Sequence, residues 1–596
     1  MSQGRFVTSA AAARMGAARA LWPVAAVAAI AAVALSGPQG ASLVARAAGI
    51  ALALSSLVVL TGWSGQLNLH VAAIGLGWGA YAAAGLALNG VPPLLAIVLA
   101  PVLVAPAALA IGAVAVRFRG LELAIATLAA GLAFEQMVFQ NLGKFLARST
   151  TGSAFESSLI ELARPAGFTG DRAYALLAIA IAAVWLVVTA MAGRGKPGRT
   201  LRAIRDREVV AEARGVAVFG WRLGAFVLSI AVASVGGALL AGQTGAVTAD
   251  SFGLPFSLQL LAVATVVGIT KLERALLGAV IIIAAQEAAS VPVLEWFAGD
   301  RADLVFGVGL IAALAVRSRR KAARVAVSRA EAGDTAVELP GRTSTAAFTP
   351  TVLRVENVSV AFGAIRVLRG VDLRVGEGEI VGLVGGNGAG KTTLFNCITG
   401  LVIPDAGAVF VRGADVTQMP PHRRAHLGLA RTFQGVEVFE GLTVEDGLLV
   451  AAGLRSDVHG AALRARIQAA LQEIGIADVA QLAPESLPFA TLRLVEIASA
   501  LVADPALVLL DEPLAGLDAG ERARVLHAIV RLRGQGRAVV IVEHDRASVD
   551  AIADRVYEMR EGRAIERGTA VPEEPASRPR ARRSTRKKEA VVAARA

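Results

Sequence analysis

Long apolar runs separated by short polar segments fill the first half of the chain, and a different pattern follows them. Ten of these runs approach the roughly 20 apolar residues that a membrane-spanning helix needs. They are 17–36, 45–61, 67–89, 94–116, 120–140, 173–192, 219–241, 255–270, 275–290 and 303–316. From Val352 onward, short runs rich in Val, Ile and Leu alternate with amphipathic stretches, which is typical of an α/β domain. The pattern predicts an α-helical polytopic membrane domain of about 10 spans (1–316), followed by an α/β domain (351–570).

Composition supports this division. The chain has 596 residues, 55% of them apolar and 18% charged, and it is too long for a single hydrophobic core. Residues 317–350 are basic and then rich in small residues, so we expect a flexible linker there. Residues 571–596 combine Arg and Lys with Pro, Ser and Ala, the composition of a disordered tail, whose charges are either solvated or in contact with anionic lipid. The single cysteine, Cys397, excludes an intrachain disulfide.

The distribution of basic residues predicts the orientation of the membrane domain. Basic loops stay in the cytoplasm. Such loops occur at Arg117 and Arg119, within 194–214 and within 317–324. Ten spans with a cytoplasmic N-terminus place all of them inside and place 141–172 outside. We therefore expect both termini and the α/β domain to be cytoplasmic. We attribute the net charge of +12 to topology and lipid headgroups, and we expect no nucleic-acid partner.

The first apolar run permits a second interpretation. Three arginines precede it, as they do in a cleavable signal peptide. More apolar segments follow at once, so we interpret 17–36 as a first membrane span.

A phosphate-binding loop is the strongest motif in the α/β half. It follows a predicted strand, Ile380–Val384, and precedes a predicted helix, Thr393–Ile398. Backbone N–H groups of such a loop turn toward the phosphates, and the helix N-terminus adds its positive end. We expect Lys391 to reach the β- and γ-phosphates of ATP and the Thr392 hydroxyl to bind Mg²⁺. The nucleotide-binding residues predicted here are Gly385, Gly386, Asn387, Gly388, Ala389, Gly390, Lys391, Thr392 and Thr393.

Two adjacent carboxylates follow a second predicted strand, Leu507–Leu510, 120 residues after Lys391. Asp511 at a strand end suits the Mg²⁺ site. Glu512 beside it is placed to activate the attacking water.

With these motifs, residues 351–570 resemble the nucleotide-binding domain of ABC transporters. The resemblance implies that Phe362 stacks on adenine and that Gln434 contacts Mg²⁺ and water while facing the permease. It also implies that the loop Ala515–Asp518 crosses an ATPase dimer and that His544 holds the γ-phosphate. The catalytic residues expected are therefore Glu512, His544 and Gln434, and the Mg²⁺ ligands are Thr392, Gln434 and Asp511.

The signature segment of this family, Leu-Ser-x-Gly-Gln, is altered here. The matching stretch is Leu487–Thr491, in which Pro488 has no hydroxyl or N–H and Ala490 adds a methyl group. In the family, each ATP lies between the phosphate loop of one subunit and the signature of the other. We therefore hypothesise that the site on Gly385–Thr392 hydrolyses ATP, whereas the site facing Leu487–Thr491 turns over slowly.

Three stretches of the membrane half resemble the membrane subunits of branched-chain amino acid importers. They are 62–81, 117–128 and 198–215. Asn68 and Glu122 depart from the family pattern, which has Ser and Tyr at these positions. The third stretch resembles the coupling segment, and the resemblance implies a short helix on the ATPase near the Gln434 loop. Its plainer interpretation is a basic cytoplasmic loop.

Several polar residues lie in or near the predicted spans, where carboxylates are costly and usually face a cavity. Glu122 either takes part in substrate binding or gating, or it has no functional role. For Glu135 and Glu287, a position at a helix end is the alternative to such a role. Gln66 and Asn68 are polar as well. The many glycines indicate close helix packing, with broken helices along a substrate path as the alternative.

The resemblance implies ATP-driven import of branched-chain amino acids across a bacterial inner membrane. It also implies a second permease, a second ATPase and an extracytoplasmic solute-binding protein, with membrane lipid around the permease. Two alternatives remain open at this point. One is the same machinery acting on amides, urea or other small amino acids. The other is a nucleotide-binding regulatory subunit that leaves hydrolysis to its partner.

Overall fold

The computed structural model describes most of both halves of the chain. The described residues are 33, 37–70, 72–118, 121–133, 135–136, 160–247, 249–268, 270–288, 350–452 and 460–567. Two predicted spans, 17–36 (apart from Val33) and 303–316, lie outside them. The linker before residue 350 and the tail 571–596 also lie outside the described residues.

The described residues form two compact units. The first unit lies within Met1–Glu338, Met419–Pro505 and Gly516–Ala528, and the second lies within Leu339–Gln418, Ala506–Ala515 and Ile529–Ala596. The helical segment 419–505 thus groups with the membrane half, although it belongs to the predicted α/β domain.

The membrane half of the first unit is helical. Its α-helices and π-helices are α1 (Pro38–Leu57), π1 (Val58–Trp63), π2 (Ala72–Gly77), α2 (Trp78–Leu88), α3 (Pro93–Ala115), α4 (Leu121–Ala133), α5 (Asp171–Arg194), α6 (Lys196–Asp206), α7 (Glu208–Ala213), α8 (Val218–Thr244), α9 (Leu254–Val267) and α10 (Glu273–Ala288). The other elements here are a 3₁₀ turn at Ala249–Phe252 and a strand pair, β1 (Ile160–Glu161) with β2 (Ala246–Val247).

Among the described residues, four helical segments are long and apolar enough to cross a membrane. They are Pro38–Trp63, Pro93–Ala115, Asp171–Arg194 and Val218–Thr244. The first and last are mostly buried, whereas α3 and α5 expose large apolar side chains such as Val102 and Val184. Helices lie at eight of the ten predicted spans, several of them shorter than a full span, so the total of about 10 spans stays a prediction.

One predicted span begins later than expected. The sequence predicts a helix over 67–89, but the helix starts at Ala72, and 64–70 is not helical. Gly65 has a φ of +72°, which ends the preceding helix. Ser64 donates to the Leu60 carbonyl and Thr61 donates to the Gln66 carbonyl, so side chains replace helical hydrogen bonds there.

Glycines bring two central helices into backbone contact. A Cβ on Gly79 would lie 1.9 Å from the Ser234 carbonyl oxygen, and a Cβ on Gly237 would lie 1.9 Å from that of Leu76. Only glycine fits at such distances. The π2–α2 segment is therefore pressed against α8, which agrees with the close-packing interpretation of these glycines.

The rest of the first unit belongs to the α/β half. It contains α12 (Pro421–His426), β8 (Leu429–Arg431), α13 (Val444–Ala452), α14 (Ala461–Ile474), α15 (Phe489–Leu501) and the start of α16 (Ala519–Gly534). Short 3₁₀ turns lie at Ala477–Val479 and Pro484–Ser486.

The second unit has two sheets. Its elements are β3 (Thr351–Phe362), β4 (Ile365–Gly376), β5 (Ile380–Gly385), α11 (Lys391–Thr399), β6 (Ala406–Val411), β7 (Ala414–Asp415), β9 (Leu507–Asp511), β10 (Ala538–Val542), α17 (Arg546–Ile552), β11 (Arg555–Arg560) and β12 (Arg563–Glu566). An antiparallel sheet has the order β4-β3-β6-β7.

The other sheet carries the phosphate loop. Strands β11, β5, β10 and β9 are neighbours in that order and run parallel, with β12 antiparallel to β11. All five residues of β9 and of β10 are buried. The carboxyl ends of parallel strands lie at one edge of a sheet. The loops that follow β5, β9 and β10 therefore begin at the same edge, after Gly385, Asp511 and Val542.

Candidate functional site

The phosphate loop joins β5 to α11, as the sequence predicts. Gly388 and Gly390 have φ values of +77° and +100°, which a residue with a Cβ rarely adopts. A Cβ on Gly390 would also lie 2.8 Å from Leu368. A Cβ built on Gly386 or on Gly388 would have no other atoms within 4 Å. The loop therefore leaves open space beside these two glycines that phosphates can occupy. Asn387 and Thr392 are exposed, whereas Ala389 and Thr393 are half-buried.

Lys391 begins α11 and is buried. Its Nζ donates to the carbonyl oxygens of Gly385 (2.7 Å) and Gly386 (3.0 Å). Burial lowers the pKa of the Lys391 ammonium, while the nearby Glu512 and Asp511 carboxylates act in the opposite direction. The structure thus brings the loop lysine and both predicted carboxylates together.

Glu512 and His544 form a pair at the ends of two neighbouring strands. The His544 Nε2 lies 2.9 Å from Glu512 Oε1. Glu512 has a φ of +48°, a strained value for a residue with a side chain, and its N–H donates to the Val542 carbonyl at 2.9 Å. The side chain of His544 is half-exposed, while Asp511 is buried. The arrangement offers a base and an imidazole on the open side of the phosphate loop.

Glu543 is a site residue that the sequence reasoning missed. Its Oε1 accepts the N–H of Leu514 at 2.7 Å, and its Oε2 accepts the N–H of His544 at 3.3 Å. Burial raises the pKa of Glu543, and these two N–H groups act in the opposite direction. The carboxylate ties the loop after Glu512 to the backbone of His544. The only sequence signal was an acidic residue directly before the predicted histidine.

Phe362 and Gln434 lie elsewhere in the described chain. Phe362 ends β3 at a tight turn and is 54% exposed, so its ring is free to stack on a planar ligand. Gln434 is exposed and belongs to the first unit. Its carbonyl oxygen accepts a hydrogen bond from Arg493 at 2.7 Å, and the carbonyl of Phe433 accepts another from Arg493 at 3.1 Å.

The predicted coupling segment forms the short helices α6 and α7, and it contacts the loop after Gln434 within the first unit. Asp206 accepts the N–H of Gly441 at 2.8 Å. Arg207 pairs with Glu437 at 3.0 Å, and Arg214 donates to the Glu437 carbonyl at 3.0 Å. These contacts bear out the expectation that the segment is helical and lies near the Gln434 loop.

Arg214 is half-buried in these contacts. Its guanidinium lies 4.7 Å from the centre of the Phe439 ring. Burial lowers the pKa of Arg214 to about 10, while the Glu496 and Glu437 carboxylates act in the opposite direction, so the side chain stays charged at neutral pH. Glu496 in turn accepts the N–H of Phe433 at 2.9 Å and pairs with Arg493 at 3.1 Å.

The altered signature begins α15. Pro488 is the residue before the first helical position, where the missing N–H costs no helical hydrogen bond. Ala490 is buried, and Phe489 is 48% exposed against Gly516. The segment therefore has a proline and a buried methyl group at the positions where a hydroxyl and a bare backbone would favour phosphate.

Comparison with known proteins separates the two halves. Residues 39–314 match the family described as "Branched-chain amino acid transport system / permease component", and residues 368–515 match the family described as "ABC transporter".

The α/β half has curated relatives. The lipopolysaccharide export system ATP-binding protein LptB of Escherichia coli (strain K12) is 36% identical over 217 residues, 36% of this chain and 90% of that protein. The high-affinity branched-chain amino acid transport ATP-binding protein LivG of Salmonella typhimurium is 35% identical over 243 residues, 38% of this chain and 94% of that protein. The corresponding protein BraF of Pseudomonas aeruginosa is 32% identical over 233 residues, 37% of this chain and 91% of that protein.

These relatives are matched over nearly their whole length, and the membrane half matches a separate permease family. The chain therefore belongs to the ABC transporter family and joins a permease of the branched-chain amino acid type to an ABC ATPase in one polypeptide.

Proposed function

We propose that this chain hydrolyses ATP to import branched-chain amino acids, and that it supplies one permease and one ATPase of the importer. The single observation that carries this proposal is the presence of both matched families in one chain. LptB, a relative of similar identity, is named for lipopolysaccharide export, so the ATPase half alone does not define the cargo. The permease half indicates the cargo, because its family is named for branched-chain amino acid transport. Two further relatives of the ATPase half are also named for branched-chain amino acid transport.

The proposed domain bounds are those that the sequence predicts: permease 1–316, linker 317–350, ATPase 351–570 and basic tail 571–596. The two family matches fall inside the permease and ATPase ranges. The ATPase range contains parts of both compact units. We expect this division if the helical segment 419–505 is the part of the ATPase that moves together with the permease.

The proposed ATP site is built on Gly385–Thr392. Lys391 exchanges its bonds to the loop carbonyls for bonds to phosphate oxygens. Phe362 stacks on adenine. Glu512 accepts the proton of the water that attacks the γ-phosphate, and His544 orients that carboxylate and the phosphate.

The residues present also fit a Mg²⁺ ion that arrives with ATP. No group of three or more His, Cys, Asp or Glu residues within the described ranges could hold a metal by itself. Mg²⁺ in nucleotide sites needs only one or two protein oxygens besides the phosphates. We propose that Thr392 and Asp511 supply them and that Gln434 contacts the ion and water. The ion would neutralise charge on the phosphates.

A transporter of this class has two permeases and two ATPases. We propose a second permease, a second ATPase and an extracytoplasmic solute-binding protein as partners. The chain would span the inner membrane several times, with both termini in the cytoplasm. The basic segment 194–214 supports that orientation, because it contains the coupling helices that contact the ATPase half in the first unit.

Uptake by the purified assembly in proteoliposomes tests the proposal. With the solute-binding protein outside and ATP inside, we expect tritiated leucine, isoleucine and valine to accumulate, and we expect no uptake with ADP. Each competing solute is added in a hundredfold excess. Competition by urea or acetamide but not by valine would contradict the proposed cargo. Leucine uptake without ATP consumption would contradict the proposed mechanism.

A further inference from the structure

The non-helical segment 64–70 of the permease half is held in a fixed shape. The Gln66 N–H donates to the Leu60 carbonyl at 3.1 Å, and the His70 N–H donates to the Asn68 side-chain oxygen at 2.9 Å. The Leu69 N–H donates to the hydroxyl of Thr127 on α4 at 3.3 Å. The segment is therefore an ordered break between π1 and π2.

This break reaches deep into the permease half. His70 packs on Gly131 of α4, where a Cβ would lie 2.2 Å from the imidazole. Gly131 is about 15 Å along α4 from its first residue, at a rise of about 1.5 Å per residue. That is about half of a hydrocarbon core roughly 30 Å thick. Non-helical backbone at such depth is tolerated where protein surrounds it or where it lines a polar path.

Within the described residues, two amide side chains in this break have polar atoms without a hydrogen-bond partner. Gln66 is 3% exposed, and neither its Nε2 nor its Oε1 has a hydrogen-bond partner in the described part of the chain. Asn68 is 1% exposed, and its Nδ2 also has none. Buried polar groups are nearly always satisfied in proteins, so these unpartnered amide atoms are available to bind a ligand.

A carboxylate lies beside His70, the last residue of the break. Glu135 Oε2 lies 3.1 Å from His70 Nε2, and His70 Nδ1 lies 3.2 Å from the Ser257 hydroxyl. Ser257 also accepts the Ala72 N–H at 3.0 Å. A neutral imidazole fits this chain, with Ser257 donating to Nδ1 and Nε2–H donating to Glu135. The Glu135 side chain keeps 16% of its exposure, so further donors can reach the carboxylate.

We propose that Gln66, Asn68 and Glu135 form a transit site for the ammonium and carboxylate groups of an amino acid, within the permease half. The amide N–H groups of Gln66 and Asn68 donate to the ligand carboxylate, and Glu135 and the Gln66 oxygen accept from its ammonium. The proposal rests on the proposed function and names where the permease itself contacts the cargo. Broken helices that present polar groups are the usual form of such sites in transporters.

The same break is in contact with the coupling segment. Arg205 of α6 donates to the Gly62 carbonyl, and a Cβ on Gly65 would lie 2.7 Å from the Arg205 side chain. Asp206, the next residue, binds the Gly441 N–H in the ATPase half. A movement of α6 therefore acts directly on the residues that precede Gln66, which gives the ATPase a mechanical route to the transit site.

Substitutions in the full assembly test this proposal. Gln66→Met removes a side-chain amide that has no hydrogen-bond partner in the described protein. If Gln66 is only structural, this substitution should therefore change neither stability nor uptake. Glu135→Gln keeps the shape of the side chain and removes its charge. Glu287→Gln is the matched control, because Glu287 is exposed at a helix end beside Arg46. Uptake of tritiated leucine, ATP hydrolysis and melting temperature are measured for each.

We expect uptake to fall at least tenfold in Gln66→Met and Glu135→Gln, with unchanged melting temperature and with ATP hydrolysis within twofold of the wild type. Glu287→Gln should transport normally. A diazirine analogue of leucine should cross-link to residues 64–70 or to Glu135. Normal uptake by both variants overturns the proposal, as does a loss of uptake that only follows a lower melting temperature. A wild type that hydrolyses ATP but takes up no amino acid instead overturns the proposed function itself.

Discussion

At the scale of single residues, the proposed ATP site contains a strained carboxylate held by its neighbours. Glu512 keeps a φ of +48° because its N–H bonds to Val542 and its side chain meets His544 at 2.9 Å. Strain of this kind persists only where the surroundings fix it, and it is concentrated at functional sites. Glu543 supplies part of that restraint.

Glu543→Gln tests this restraint. Glutamine keeps one oxygen but places an NH₂ group against either the Leu514 or the His544 N–H. A buried N–H that loses its acceptor costs about 1–3 kcal/mol. We therefore expect kcat for ATP hydrolysis to fall by roughly tenfold or more, since a step of 1.4 kcal/mol is a factor of ten.

Nucleotide affinity separates this effect from loss of the site. Binding of a fluorescent ATP analogue should change by less than threefold, because the phosphate loop is untouched. Glu377→Gln, an exposed carboxylate of the same unit, is the control. An unchanged kcat in Glu543→Gln would show that the carboxylate does not position the site.

Residue-level prediction from sequence worked where the chemistry is local. The phosphate loop is contiguous, so spacing alone predicts both the loop and its helix. Glu543 could not be found in this way, because its role arises only when β9 and β10 lie side by side and bring Leu514 to it.

At the scale of elements, α6, α7 and α15 connect the permease half to the Gln434 loop within the first unit. Arg493 and Glu496 on α15 hold the backbone of Phe433 and Gln434. Arg214, which follows α7, is half-buried against Phe439 and near Glu496. A displacement of the loop therefore reaches the permease through buried, charged contacts.

Arg214→Ala should uncouple the two halves. It removes the hydrogen bond to the Glu437 carbonyl and the cation over the Phe439 ring, and it leaves the Glu496 carboxylate with one fewer cation nearby. We expect leucine uptake per ATP hydrolysed to fall at least fivefold. Arg194→Ala, at an exposed position of the same basic segment, should leave the ratio unchanged. An unaltered ratio in Arg214→Ala would remove Arg214 from the coupling contact.

The altered signature leads to a separate prediction. Changing Pro488→Ser together with Ala490→Gly supplies a hydroxyl and a bare backbone at the start of α15. We expect ATP turnover at the partner ATPase's site to rise, because that site faces this segment in the family arrangement. Vanadate trapping with photoreactive ATP reports which subunit retains nucleotide. Equal hydrolysis at both sites before the repair would refute the asymmetry.

Helices form at eight of the ten predicted apolar runs, but two boundaries differ by several residues: the helix of run 45–61 begins at Pro38, and that of run 67–89 begins at Ala72. Hydropathy predicts a continuous helix over 67–89, since Leu67 and Leu69 flank Asn68. The break exists because Gly65 and the hydroxyls of Thr61 and Ser64 end the preceding helix. The π-helical turns on both sides, at Val58–Trp63 and Ala72–Gly77, have no signature in apolar spacing.

At the scale of the whole molecule, covalent fusion fixes the ratio of one permease to one ATPase. Composition alone predicts the division into a membrane half and an α/β half. Charged residues are sparse before residue 317, and after it they are as frequent as in a soluble protein. Sequence did not predict that 419–505 would group with the membrane half. That grouping follows from side-chain contacts such as Asp206 with Gly441, which no local pattern encodes.

The most direct test of the central claim is the parallel measurement of ATP hydrolysis and leucine uptake in proteoliposomes for Glu512→Gln. Loss of a general base lowers hydrolysis by about 10²–10⁴-fold. We expect that loss at this chain's own site, measured with radiolabelled phosphate release, together with a loss of uptake to the level seen with ADP. Uptake at the wild-type rate in Glu512→Gln would contradict the account, because the ATP site of this chain would then not drive transport.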